Sequence, residues 1–520
     1  MCKLLNTISS KRVVLLFLII LLAFLPYSLV LSLEQETGTD HFLTLNTNSP
    51  SLSYSSFLGG NNIDGASSIA LASDGSYYLT GGTSSSDFPT LNAFNSTYGG
   101  NNDAFLAKFS ASDSLLWSTY LGGNDSDGGN SLAVALDGSC YIIGSTLSTN
   151  FPTFNAFNST KSGSDYEIFI AKFSSNGTLL WSTYFGGNYW NIGRSIAVSS
   201  DGSCYITGWT YSTNFPTLNA YNSTYGGLGD AFVAKFSSTG TLLWSTFLGG
   251  NHMDAGMDIA VFNDGICYVT GFTLSNNFPI LNAYDDTHNG YDVFITKFSA
   301  SGALLWSTFL GGSSMEEGFG ITIATDGSCF AIGRTVSQNF PITINAYDNS
   351  YNGGEYDAFV TRFSASGALL WSTYLGGTLY DTANDIAVAD DGSCFITGYT
   401  KSNDFPIMKA YDKTINGNLT DAFVVKFSNS GSLIWSTFLG GNSDDYGGCI
   451  ALTNDGSCYV TGASSSSDFP TNNAYDSTLN GGSDAFITKF SEGKISPYYS
   501  FLSIIIVIPI LVVVLRKRKK

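Results

Sequence analysis

Between residues 51 and 490, short apolar stretches alternate with polar turn residues, and the alternation itself recurs. In one unit, Ser195-Ile-Ala-Val198 and Cys204-Tyr-Ile-Thr207 flank Ser-Ser-Asp-Gly-Ser. Asp201-Gly202 supplies the positive φ that a tight hairpin needs, so the two stretches read as paired strands. About twenty irregular residues follow, carrying Phe215-Pro216 and Asn219-Ala220-Tyr221, and lead to a third strand over 231–236. A Ser-Ser-Thr-Gly turn then gives a fourth strand over 242–247, and Gly249-Gly250 opens the passage to the next unit. The pattern predicts four antiparallel strands per unit.

The units are copies of one another. The segment LLWSTYLGG recurs with its indole at Trp117, Trp181, Trp244, Trp306, Trp371 and Trp435, at spacings of 64, 63, 62, 65 and 64. A degenerate copy at 51–60 puts Tyr54 in the Trp place. Asp-Gly recurs seven times, led by Asp74, Asp137, Asp201, Asp264, Asp326, Asp391 and Asp455, and Phe-Pro recurs seven times from Phe88-Pro89 to Phe469-Pro470. The first unit material is a lone fourth-type strand, and the last is a third-type strand with no fourth after it. An open array would leave both as unpaired edges. A ring uses one to complete the other, which predicts an all-β, seven-bladed propeller of four-stranded blades closed by an N-terminal outer strand.

A further segment, D-A-F-x-x-K-F, recurs from Asp103–Phe109 to Asp484–Phe490, and the order D-A-F-x-x-K-F, L-W-S-T-Y-L-G-G, D-F-P-T resembles the seven-bladed β-propeller repeat family abbreviated SBBP. The resemblance covers about 51–490. It implies the propeller fold and a secreted or surface setting, such as a cell surface glycoprotein or S-layer-like protein, and it implies no reaction.

The ends are read for membranes. Residues 13–32 are an apolar run behind Lys3, Lys11 and Arg12, so 1–33 reads as a signal peptide or signal anchor. Residues 34–50 read as a linker, 491–497 as a second one, 498–515 as a transmembrane helix and 516–520, RKRKK, as a basic cytoplasmic tail. The C-terminal segment also resembles the sorting tails of archaeal surface proteins. The expected location is the cell surface, single-pass, with the propeller outside.

Charge sharpens the partner class. Residues 34–497 hold 14 basic and all 41 acidic residues, a net charge of −27. That excludes the basic field a nucleic-acid partner requires. The expected partners are the membrane, surface glycans and other envelope proteins.

Repeated residues are expected to serve packing. The indoles should cover blade edges, and the third-strand cations (Lys108, Lys172, Lys235, Lys297, Arg362, Lys426, Lys489) are expected to pair within their own blades, each lying five positions after an acid such as Asp103 or Glu167. Cys140, Cys204, Cys267, Cys329, Cys394 and Cys458 share one position and read as buried free thiols, since equivalent positions are splayed around a ring. The inferred hairpin register pairs Leu452 with Cys458 and sets Cys449 opposite Thr461. After each Gly-Gly comes Asp64, Asp127, Asn191, Asp254, Glu316, Asp381 or Asp445. The six carboxylates are the candidate ligand-binding ring, suited to Ca²⁺ or a polyhydroxy ligand; the competing reading has each acid accept N–H bonds from its own loop. No other cofactor and no dedicated metal motif is expected.

Sequons at Asn95, Asn124, Asn158, Asn176, Asn222 and Asn418 mark candidate N-glycosylation sites. Asn95, Asn158 and Asn222 share a position that becomes Asp285, Asp348, Asp412 and Asp476 elsewhere, as a turn former would. No catalytic motif stands out, the three histidines are unrepeated, and no blade differs visibly from the others. The expected function is a membrane-anchored, non-catalytic binding, adhesion or cell-envelope module. The alternatives are a surface polysaccharide-active enzyme and a structural S-layer-like coat component.

Overall fold

A computed structural model describes residues 49–492, other than Asn263 and Asn418, and the backbone of Leu31–Leu33 and Leu43–Leu45. The sequence readings on the signal segment, the C-terminal span, the basic tail and the Asn418 sequon lie outside the described residues. Among the described residues, no helix is long and apolar enough to cross a membrane. Leu31–Leu33 and Leu43–Leu45 pair antiparallel, in a unit separate from residues 50–491.

Residues 50–491 fold into seven four-stranded antiparallel sheets. Blade 1 comprises Asp64–Leu71, Tyr77–Thr83, Asp103–Phe109 and Leu115–Leu121, paired in that order. The pattern repeats to blade 6, which runs from Asp381–Val388 to Leu433–Leu439. Blade 7 takes Asp445–Leu452, Cys458–Ser464 and Asp484–Glu492 from the end of the chain and Pro50–Leu58 from its beginning. The first strands of successive blades pack against one another all the way round, the first strand of blade 7 meeting that of blade 1. The ring closes as the repeat count requires.

The expected turns form. In blade 1 Gly75 takes φ 81°, and Asp74 Oδ1 accepts the Ser76 N–H at 2.9 Å. The second and third strands lie between neighbouring blades and are buried along nearly their whole length, as in Cys140–Thr146 and Glu167–Phe173. That double burial accounts for the 12% charged content. The described cysteines form no disulfide, six of them are buried in the second strands, and Leu452 pairs with Cys458 and Cys449 with Thr461.

Blades are stapled along the end where the third and fourth strands turn. Trp117 Nε1 donates to Ser175 O of the next blade at 3.2 Å, and its ring lies against Gly177. Trp181, Trp244, Trp306 and Trp371 repeat this on Gly240, Gly302, Gly367 and Gly431. The third-strand cations keep contacts within their own blades, as expected, but also reach the staple of the next blade, and the acid five positions earlier is not their partner. Lys108 lies 4.9 Å over the Tyr78 ring and donates to Ser175 O at 3.1 Å. Five residues of strand span roughly 17 Å, so Lys108 and Asp103 stand at opposite ends of the blade. Arg362 differs in adding an ion pair, at 2.8 Å to Asp326.

The regularity is broken at three kinds of place, one being a register shift between third and fourth strands, as between Lys172 and Phe173. In every blade the register of the first strand shifts after its third residue, as between Gly193 and Ser195, leaving one residue unpaired. This is a β-bulge. At the seam between blades 7 and 1, Tyr54 replaces the indole and Asp113, at φ 63°, replaces the turn glycine. Asp113 Oδ1 accepts Tyr459 Oη at 2.8 Å and Tyr77 Oη at 3.2 Å.

Candidate functional site

The six acids that follow Gly-Gly begin the first strands and are fully buried. They do not line an open ring. Asp127 Oδ2 accepts Gly123 N and Ser148 Oγ, both at 2.7 Å. Asp64, Asp254, Asp381 and Asp445 repeat this with Gly60, Gly250, Gly377 and Gly441 and a loop serine, while Glu316 accepts Gly312 N at 3.0 Å and Thr335 Oγ1 at 2.8 Å. Each is a loop-organising carboxylate.

The structure adds a partner that sequence reasoning missed. The first residue of each third strand is also an acid and meets the next blade's acid at the junction. The pairs are Asp103 with Asp127, Asp230 with Asp254, Asp292 with Glu316, Asp357 with Asp381, Asp421 with Asp445 and Asp484 with Asp64. Burial, reinforced by the facing carboxylate, pushes Asp103 and Asp484 up to about 6, Asp230 and Asp292 to about 7, and Asp357 and Asp421 to about 8. A folded pKa above the unfolded value means that the native state binds more protons between those limits, so stability falls as pH rises from about 4 to about 8. The turn acids Asp74, Asp137 and Asp326 are shifted the other way by their serine hydrogen bonds and withdraw stability only below the usual carboxylate range. In buffer containing EDTA, Tm by calorimetry should therefore be about 5 °C or more higher at pH 5 than at pH 8, each unit being worth about 1.4 kcal/mol. A flat or inverted profile would contradict this account of the junctions.

The blades cease to be alike around the channel mouth at the end where the first strands begin. At the second position of the first strand stand Gly65, Gly128, Ile192, Ala255, Glu317, Thr382 and Tyr446. The residues paired with them are Gly82, Ser145, Trp209, Phe272, Arg334, Tyr399 and Ala463. Large side chains thus run from blade 3 to blade 7, while blades 1 and 2 stay small. Arg334 is the hub. It forms an ion pair with Glu317, with Nε at 2.6 Å from Oε2, bonds Tyr380 Oη, and lies 4.2 Å over the Tyr356 ring. Tyr291 Oη donates to Glu317 Oε1 at 2.8 Å, and Tyr291 stacks on Phe272 at 5.0 Å. Tyr380 stacks on Tyr399 at 5.6 Å, and Tyr399 meets the edge of Tyr446 at 5.0 Å. Trp190 (49% exposed) and Tyr446 (40%) leave open faces at two points of this arc.

The channel waist is uneven too. After each bulge come Ser68, Ser131, Ser195, Asp258, Gly320, Asp385 and Cys449. Where the side chain allows, it accepts the neighbouring blade's N–H: Ser68 Oγ from Leu132 at 3.2 Å, Asp258 Oδ2 from Ile321 at 2.7 Å, Asp385 Oδ2 from Ile450 at 2.8 Å. Burial, then the Asp258 carboxylate, pushes Asp385 up to about 7. Among the described residues, no three His, Cys, Asp or Glu side chains are grouped to hold a metal.

Of the sequon asparagines, Asn124 and Asn176 are exposed. Asn95, Asn158 and Asn222 are half-buried and accept the N–H of Thr97, Thr160 and Thr224 at 2.9 to 3.0 Å. Asp285 and Asp476 do the same at 2.9 Å, which is the turn role that the alternation suggests.

Fold and repeat together define a β-propeller repeat protein. The family model of the SBBP β-propeller repeat matches residues 180–216 and 370–406. Each match runs from an outermost strand through the next blade's first hairpin to Phe-Pro, so the sequence repeat straddles a blade junction. Among curated proteins, the chain is 22% identical over 492 residues to an uncharacterized WD repeat-containing protein of Acanthamoeba polyphaga mimivirus, covering 80% of this chain and 35% of that protein. It is 25% identical over 353 residues to the regulatory protein FlaEY of Caulobacter vibrioides, covering 64% and 36%. The chain thus spans about a third of the length of these relatives. A crystal structure of a protein of unknown function from Bacteroides caccae aligns with 62% of this chain and 94% of its own at 12% identity, with a TM-score of 0.29.

Proposed function

We propose that this protein is a non-catalytic binding and adhesion module, held at the cell surface by its terminal apolar segments and engaging ligands at the channel mouth. The observation that carries this reading is the confinement of Trp190, Arg334, Tyr356, Tyr380, Tyr399 and Tyr446 to one arc of an otherwise repeated frame. Packing needs are the same in every blade and do not call for such an arc. Aromatic faces beside hydroxyl, carboxylate and guanidinium groups suit neutral sugars, and the acidic balance disfavours anionic partners. Relatives named as WD repeat-containing and regulatory proteins fit a binding role.

The full-length chain, purified in detergent, should retain neutral envelope polysaccharides on a glycan array without releasing shorter sugars. Tyr399→Ala should weaken that retention about tenfold, as expected for an interface anchor. Release of reducing ends would instead support the polysaccharide-active enzyme, and unchanged retention in the variant would remove the arc from the site.

A further inference from the structure

The six junction pairs contain an unmet need. Asp103 Oδ2 accepts the Gly99 N–H at 2.8 Å, but its Oδ1 is buried and has no hydrogen-bond partner. The same oxygen is orphaned in Asp230, Asp292, Asp357, Asp421 and Asp484. A buried carboxyl oxygen without a partner is costly, and here it recurs in six blades. In each case it leans over the first glycine of Gly-Gly. A Cβ on Gly122 would meet Asp103 Oδ1 at 2.6 Å and Asp127 Oδ2 at 2.8 Å. On Gly311 it would meet Asp292 Oδ1 at 2.2 Å and Glu316 Oε2 at 2.8 Å. Oxygens from two blades converge on the first glycine of Gly-Gly, so closely that a Cβ there would collide with them.

The junction between blades 2 and 3 is an internal control. There the third-strand acid is Glu167, whose Oε2 accepts Ser162 N at 2.5 Å and whose Oε1 accepts Ser162 Oγ at 3.2 Å, so no oxygen is orphaned. The facing residue is the neutral Asn191. Lys161, where other units have Tyr98, Tyr225 or Tyr351, brings its ammonium within electrostatic reach of Glu167. This junction, which carries its own cation, has given up both a carboxylate and the orphaned oxygen.

We propose that the other six junctions each bind a calcium ion between the third-strand acid of one blade and the first-strand acid of the next. All the donors are hard oxygens, and a two-carboxylate site completed by main-chain carbonyls and water suits the flexible coordination of Ca²⁺ better than the strict octahedron of Mg²⁺. Two carboxylates per ion place the affinity in the range of extracellular modules, about 10⁻⁴ to 10⁻³ M. The ions would neutralise the acid excess while tying blade to blade.

The test uses the full-length chain, stripped with EDTA and studied at pH 7.5. Millimolar CaCl₂ should raise Tm by about 10 °C, beyond NaCl of equal ionic strength. Equilibrium dialysis with radioactive calcium should give six ions per chain. Asp127→Asn, a residue choice that the blade 2 to 3 junction already accommodates, should lower the count to five. The triple change Lys161→Tyr, Glu167→Asp, Asn191→Asp should raise it to seven. No Ca²⁺-dependent shift in Tm, or an unchanged count in Asp127→Asn, would overturn the proposal. An equal response to MgCl₂ would overturn the assignment to calcium.

Discussion

Deleting Pro50–Leu58 should abolish the folded propeller. This segment is the outermost strand of blade 7 and enters from the opposite end of the chain. It buries Tyr54, Phe57 and Leu58 and completes the packing of Phe469 and Phe486. It is tied down by Ser55 N to Asn472 O at 2.9 Å and by Ser53 Oγ to Lys489 O at 3.1 Å. Burial of the three large side chains contributes about 5–9 kcal/mol, at about 1.5–3 kcal/mol each. That is of the order of a whole domain's stability. Its loss also bares the edge of Asp484–Glu492, a template for aggregation. The deleted chain should aggregate in detergent extract, and a variant carrying the same nine residues behind a short Gly-Ser turn after Glu492 should recover a monodisperse protein and the β-type circular dichroism. A deletion that melts at the original Tm would refute closure by this strand.

The second large effect is expected from one methyl group. Gly208 in the second strand of blade 3 is extended, yet a Cβ there would meet the Ile192 carbonyl oxygen at 1.9 Å and the Phe232 ring at 3.0 Å. The bulge swings that carbonyl across the neighbouring strand. Gly81, Gly144, Gly271, Gly333, Gly398 and Gly462 meet the same obstacle at 1.8 to 2.0 Å. Because the obstacle is backbone, Gly208→Ala must displace the first strand, costing about 3 kcal/mol. Gly128→Ala, whose Cβ would meet nothing within 4 Å, should stay within about 0.5 kcal/mol of the parent. Urea unfolding of the pair checks this. Equal midpoints would mean that the bulge yields freely.

Strand pairing, ring closure and the register of Cys449 and Cys458 were legible in the sequence because each rests on a repeated local pattern. The lysine contacts were not, because spacing along a strand is not proximity: Lys108 and Asp103 share a strand but lie at opposite ends of it. The carboxylate pairs were half legible. Asp127 follows a conspicuous Gly-Gly, whereas Asp103 opens a segment that reads as pure packing, and only the junction of two blades brings them together. The mouth was not legible, since Glu317, Arg334, Tyr380 and Tyr399 are single departures within repeated segments, and their neighbourhood exists only across blades.

The seam between blades 7 and 1 acts as an address. Blades 2 to 6 each offer a turn glycine to the indole of the preceding blade, so their surfaces are interchangeable. Blade 1 offers Asp113, whose carboxylate, held by Tyr77 and Tyr459, occupies the space an indole would need. It accepts the Tyr54 edge and refuses the Trp edges. Gain or loss of an internal unit would leave that address intact, whereas a chain begun one unit later would lose Tyr54 and Asp113 together and set Trp117 on Gly177 as in any other blade. The first and last strands of the propeller are thus marked for each other, and the units between them are free to drift.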